Sequence, residues 1–130
     1  FFLASSTIEA LFFEDVAAWL ESVDIRYTPR VKFSGKSGFD HMFDFVIPKS
    51  KVASERIIRA INNPSRSTAQ NLIMAWIDTK DSRPESSEPF AFLNDNDKTI
   101  AGNVTDALRN YGITSVAWSQ RDQFRERLVA

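Results

Sequence analysis

Apolar and polar residues alternate most regularly between Phe39 and Ile47. Phe39, His41, Phe43, Phe45 and Ile47 would share one face of an extended chain, and Asp40, Met42, Asp44 and Val46 the other. This pattern predicts a strand over 39–47. Tyr27 to Phe33 predicts its hairpin partner, joined through a turn at 34–38, with Pro29 requiring an edge position or a bulge. A second apolar run, Leu72-Ile73-Met74-Ala75-Trp76-Ile77, predicts a further strand over 72–79, preceded by a turn at 68–71. Helical spacing shows elsewhere. Ile8, Leu11, Phe12, Trp19 and Val23 predict a helix over 7–22, opened by a capping-box pattern at Ser6-Thr7-Ile8-Glu9. Val52, Ala53, Ile57, Ile58 and Ile61 predict a second helix over 51–62, capped by Ser50 and stopped by Asn62-Asn63-Pro64.

Beyond a polar, proline-bracketed loop at 81–89, Phe90 to Leu93 predicts a short buried strand. Ile100, Val104, Ala107, Leu108 and Tyr111 predict a helix over 99–111, with Gly112 where a left-handed C-terminal cap belongs. Ile113 to Trp118 follows as the last strand, Ser119 as a cap, and Phe124 and Leu128 anchor a final short helix. The expected order is helix, hairpin, helix, strand, strand, helix, strand, helix. That order implies an α/β fold, a mixed central sheet of about five strands flanked by helices.

The chain has 130 residues and 43% apolar content, enough for one domain with its own core. It contains no cysteine, which excludes disulfides and thiolate chemistry and suits a reducing, cytoplasmic setting. No apolar run reaches the length of a membrane span. The start, Phe1-Phe2-Leu3-Ala4, has no initiator Met and no basic leading segment, so we expect the C-terminal part of a longer protein, with a domain preceding it.

Net charge is −1, yet its distribution is uneven. Residues 1–25 carry five acids and no base, whereas residues 26–66 carry nine bases against three acids. Positive charge around the hairpin attracts phosphates, and Lys32, Lys36, Lys49 and Arg56 are the expected contacts to nucleic acid. A solvated basic face paired with the acidic first helix is the plainer alternative.

The candidate chemistry lies in the acids of the two apolar runs. On a strand, Asp78 and Lys80 would share a face, and Asp44 on the hairpin could join them. Two carboxylates beside an amine can hold Mg²⁺ through oxygen ligands, with Asp44 and Asp78 as the metal ligands. Such a metal polarises a phosphate and helps to generate hydroxide, while Lys80 stabilises developing charge. Acid-x-Lys triplets also occur at strand ends simply because polar residues meet solvent there.

Two resemblances bear on these residues. Tyr27-Thr28-Pro29, Gly35-Lys36-Ser37-Gly38-Phe39-Asp40-His41, Phe43-Asp44-Phe45-Val46-Ile47-Pro48-Lys49, Ala60-Ile61-Asn62-Asn63-Pro64 and Phe92-Leu93-Asn94-Asp95 resemble a bacterial and prophage C-terminal domain of unknown function. That resemblance covers about three quarters of the chain and implies a preceding N-terminal domain, but no activity.

Separately, Gly35-x-Ser37-Gly38-x-x-His41-x-x-Asp44 is similar to a signature of restriction-endonuclease-like nucleases, the superfamily of the Pro-Asp…Asp/Glu-x-Lys motif. It implies that Asp44, Asp78 and Lys80 form a Mg²⁺-dependent phosphodiesterase site on a restriction-endonuclease-like fold. A further acid would come from the first helix, Glu14 or Glu21. One departure stands out. In that superfamily the two motif strands follow each other closely with a helix after the second, whereas here 33 residues separate Asp44 from Asp78.

Other motifs carry less. Gly35-Lys36-Ser37 lacks the upstream glycine of a phosphate-binding loop, which would fall at Arg30, and is followed by a strand. His41 is the only histidine, and no Gly-x-Ser-x-Gly elbow supports a serine triad. Trp19, Trp76 and Trp118 sit in apolar contexts as core residues. The functional expectation is therefore a metal-dependent nuclease domain or its inactive relative, acting on or binding nucleic acid. The alternatives are a non-catalytic protein- or nucleic-acid-interaction module and a domain that positions the preceding one.

Overall fold

The computed structural model describes residues 5–129. A helix α1 (Ser5–Ser22) leads into strands β1 (Thr28–Ser34), β2 (Asp40–Ile47) and β3 (Arg56–Ile61). Helix α2 (Arg66–Thr79), strand β4 (Glu88–Leu93), helix α3 (Gly102–Asn110), strand β5 (Thr114–Ala117) and a short helix α4 (Arg125–Leu128) follow. The strands form one mixed sheet in the order β1-β2-β3-β4-β5. β1, β2 and β3 run as an antiparallel meander, and β4 and β5 add in parallel. The expected α/β class with a mixed sheet of five strands holds. Among the described residues, no helix is long and apolar enough to cross a membrane.

Two cores sandwich the sheet. On one side Phe12, Val16 and Leu20 of α1 pack with Phe45, Ile58, Phe92 and Leu128. On the other, Leu72, Ala75 and Trp76 of α2 and Val104 and Leu108 of α3 pack with Phe43, Ile57, Ala91 and Leu93. Each fully buried phenylalanine or leucine contributes about 1.5–3 kcal/mol relative to exposure.

The middle of the chain corrects the sequence reading. The helix expected over 51–62 is instead a loop followed by β3, and Val52, assigned to its core face, is exposed. Ile57, Ile58 and Ile61 fit either period, but β3 lies between β2 and β4 and buries both its faces, so its β-branched run shows no alternation. Ser50 does use its hydroxyl, which accepts from the N–H groups of Val52 and Ala53, but it closes a turn rather than a helix.

The strand expected over 72–79 is the second half of α2. Ala69, Leu72, Ala75, Trp76 and Thr79 are buried at helical spacing. Ser65 caps the helix, accepting from Thr68 N–H while Thr68 Oγ1 accepts from Ser65 N–H. Met74 and Ile77, which made the run look uniformly apolar, are exposed.

The other elements fall near their expected positions, and Gly112 has the left-handed φ of 75° anticipated for it. Tyr111, expected inward, is exposed. The side chains of Ser6 and Thr7 in the capping pattern, and the start at 1–4, lie outside the described residues.

Candidate functional site

β2 does not keep one face throughout. Phe43 packs in the α2-side core while Phe45 and Ile47 pack in the α1-side core. The change of side falls at Asp44. On the neighbouring strand Arg30 has a left-handed φ of 51°, and the register pairs Pro29 with Phe45 and Val31 with Phe43 but leaves Arg30 and Asp44 unpaired. The β2–β3 register also stops at Phe45↔Ile58. Beyond it, Ala60 N–H donates to Asp44 Oδ2 at 2.7 Å, so a side chain takes the place of the next ladder bond. The two strands fork at this carboxylate.

Burial pushes the Asp44 carboxyl above its usual range. The Ala60 N–H and the Arg59 and Arg30 guanidinium groups oppose that rise, and Glu9 of α1 adds to it. Arg59 is held over the Phe43 ring, 4.9 Å from its centroid, and donates to Met42 O at 2.5 Å. This donor set does not fit Mg²⁺. The ion needs several oxygen ligands in near-octahedral array, whereas Asp44 offers one carboxylate already bonded to an amide and flanked by two guanidinium groups. Among the described residues no group of three or more His, Cys, Asp or Glu gathers to hold a metal.

Asp78 belongs to a different arrangement. It lies in the last turn of α2, where the helix dipole disfavours an anion, and the β1–β2 turn supplies the compensating donors. Ser37 N–H reaches Oδ1 at 2.8 Å, Ser37 Oγ–H reaches Oδ2 at 2.6 Å, and His41 Nε2 lies 2.7 Å from Oδ2. The Ser37 hydroxyl first, then His41 and the Ser37 amide, hold the Asp78 carboxyl below the usual range. Lys36 N–H donates to Asp78 O at 2.8 Å. A Cβ on Gly35 would stand 1.9 Å from Asp78 Oδ2, so any larger residue there would push the carboxylate off its donors. The Gly35-Lys36-Ser37…His41 motif is thus a clamp that fastens the hairpin to α2.

The shared strand face expected for Asp78 and Lys80 is therefore not formed. Two steps along a helix turn a side chain by roughly 200°, and Lys80 lies exposed in the 3₁₀ turn after α2. Nor does the structure unite Asp44 with Asp78. Asp78 is tied beside His41, three residues or roughly 10 Å along β2 from Asp44. Glu14 and Glu21 are exposed on α1, and the helical acid that influences Asp44 is Glu9.

The four expected phosphate contacts divide between two places. Lys32 and Lys36 are exposed on the hairpin, whereas Lys49 is exposed past the far end of β2, close to Arg56, which is only 1% exposed. On the hairpin the sequence reading overlooked Phe39, 74% exposed, and Met42, 41% exposed. The available signal was Phe39 directly after Gly38 of the expected turn, and Gly38 does adopt a φ of 92° there. Also overlooked was a cleft of about 340 Å³ at the C-terminal ends of β3 and β4, where parallel sheets commonly receive ligands. There Asn94 Nδ2 donates to Asn62 Oδ1 at 2.9 Å, with Glu9, Asp97 and Lys98 around them.

Fold and surface together define an α/β fold that presents a pinned hairpin carrying exposed Lys32 and Lys36 at the edge of a mixed sheet. Residues 35–121 match the family described as domain of unknown function DUF1829, and the chain belongs to that family. Two solved structures share the fold. One, described as a protein of unknown function, AF1548, aligns with a TM-score of 0.61 at 19% identity over 84% of this chain and 59% of its own. The other is Can2 from Sulfobacillus thermosulfidooxidans in complex with cyclic tetra-adenylate, with a TM-score of 0.56 at 12% identity over 92% of this chain and 34% of its own. The chain thus spans less than two thirds of either protein. No curated protein matches it.

Proposed function

We propose that this domain binds nucleic acid through its β1–β2 hairpin and does not cleave it. The observation that carries the reading is the exposure of Lys32, Lys36 and Phe39 on one hairpin whose turn is fixed to α2 through Ser37, Asp78 and His41. Exposed lysines supply sequence-independent contact with phosphates, and an exposed ring beside them offers a face on which a base can stack. Asp40, the nearest acid on the hairpin, accepts from Ser34 Oγ at 2.8 Å.

The succession of hairpin, following strand and helix is similar to the frame of restriction-endonuclease-like nucleases. In that frame the strand after the hairpin brings the acid-x-Lys pair. Here that strand is β3, Arg56-Ile57-Ile58-Arg59-Ala60-Ile61, and it carries no acid. A nuclease-type frame without its second carboxylate supports binding rather than hydrolysis. Can2, which shares the fold, is described in complex with cyclic tetra-adenylate, in keeping with this reading. The cleft above β3 and β4 is the weaker location for phosphates, because Glu9 and Asp97 face Lys98 alone there.

Fluorescence anisotropy with labelled single-stranded oligonucleotides tests the proposal. Lys32→Ala with Lys36→Ala should weaken binding and lower the salt slope by roughly 0.7 for each phosphate no longer neutralised. Phe39→Ala should cost about 1–3 kcal/mol. Strands incubated with Mg²⁺ or Mn²⁺ should remain intact. Binding indifferent to all three substitutions would sink the interface, and cleavage abolished by Asp44→Ala would sink the non-catalytic reading.

A further inference from the structure

Arg56 opens β3, registered with Ile47 on one side and Glu88 on the other. It is the largest fully buried side chain among the described residues, and its Nε, Nη1 and Nη2 have no hydrogen-bond partner there. The surrounding carboxylates are engaged elsewhere. Glu55 is held by Arg83 at 2.6 and 3.1 Å and by Ser87 Oγ at 3.0 Å. Glu88 accepts from Ser54 Oγ at 3.3 Å and faces Arg127 at 3.6 Å, so it offers Arg56 only its nearby charge. Burial lowers the Arg56 guanidinium from its ordinary value, yet a guanidinium stays charged. A buried cation with every donor vacant is strongly unfavourable unless an anion completes it.

Arg56 lines a cavity of about 280 Å³ between the end of β2, the segment after α1 and the end of α4. Arg26 and Lys49 line the same cavity, opposed among the described residues by one acid, Asp24, while Ile25 and Ile47 give it an apolar wall. We propose that this cavity is an oxyanion site that receives a phosphate group, gripped by Arg56 through two parallel N–H donors and drawn in by Arg26 and Lys49. The guanidinium fork matches the spacing of two phosphate oxygens, which a lone ammonium cannot reproduce. The site stands at the other end of β2 from the hairpin turn and is independent of the nucleic-acid interface proposed above.

Thermal melting of the whole chain in phosphate against chloride, at matched ionic strength, tests it. A ligand that binds only the folded state raises Tm progressively with its concentration. The rise should vanish in Arg56→Met and shrink severalfold in apparent affinity in Lys49→Gln. Should Arg56→Met fail to fold, Arg26→Gln combined with Lys49→Gln, both at exposed positions, carries the same test. Phosphate also stabilises proteins generally by exclusion from their surfaces, and that effect would be equal in all variants. An equal rise in wild type and variants, or none in wild type, overturns the proposal.

Oligonucleotides with and without a 5′-phosphate then distinguish the sources. A preference that Lys49→Gln removes assigns the site to a nucleic-acid end, and equal binding with the phosphate shift retained assigns it to a small phosphate compound. Lys32→Ala with Lys36→Ala should leave the phosphate shift intact, so failure of either proposal is separable from failure of the other.

Discussion

Asp44 and Asp78 carry the same side chain within one small domain and meet opposite environments. Asp78 is offered three donors at a helix end, whereas Asp44 is half-buried with one amide and two nearby guanidinium groups. The signs of their pH effects differ accordingly. A carboxyl held below its ordinary value, as at Asp78, contributes stability above the unfolded-state pKa that is lost as pH falls through the folded value. A carboxyl pushed up, as at Asp44, does the reverse. It costs stability once pH rises through the unfolded and then the folded value, because the native state must hold the charge in a poorer medium than water. Asp44→Asn keeps an oxygen to accept from Ala60 N–H and removes that charge. It should therefore raise Tm at neutral pH, with the gain over wild type shrinking in acid as Asp44 itself takes a proton. Melting curves across the acid range check this, and a gain independent of pH would exclude charge burial as its cause.

At the scale of elements, the joint between the β1–β2 hairpin and α2 decides which residues meet. Its sequence signature was readable, since Gly35, Ser37, Gly38 and His41 stood out as a motif and Asp78 as an acid that packing did not need. Its meaning was not readable, because 72–79 looked like a strand. Burial of Leu72, Ala75 and Trp76 against the sheet selects a helix there, and that is tertiary information. Likewise the sandwiched position of β3 overrides the helical spacing of Ile57, Ile58 and Ile61. Exchanging these two assignments leaves the mixed sheet intact but moves Asp78 from a supposed metal site to a clamp. Gly35→Ala probes the joint directly. The added methyl collides with the Asp78 side chain far more closely than with its backbone oxygen, at 1.9 against 3.1 Å. In wild type the substitution should destabilise by about 1–3 kcal/mol, the range for forcing an extra carbon into a filled site. In Asp78→Ala most of that cost should disappear, leaving a coupling of about 0.5–3 kcal/mol between the two positions. Chemical denaturation of the four proteins measures it, and additive losses would show that the clamp is not the source.

For the whole molecule, the consequence of this clamp is that a surface hairpin on an edge strand becomes part of the rigid body. An untethered hairpin carrying Lys32, Lys36 and Phe39 would have to be ordered by its ligand, and that ordering would subtract from affinity. Asp78 therefore has two opposing influences on the proposed interface. Its negative charge repels phosphates, while its hydrogen bonds preorganise the groups that bind them. The charge is already compensated by the Ser37 amide, the Ser37 hydroxyl and His41, so its repulsion is small beside the order it imposes. Asp78→Ala should weaken oligonucleotide binding although it deletes an acid from a nucleic-acid-facing element. The salt slope should stay near the wild-type value, because the lysines still meet the phosphates once the strand is bound. Tighter binding by the variant would mean that field outweighs preorganisation, and the hairpin would then act as a loose basic arm rather than as a fixed platform.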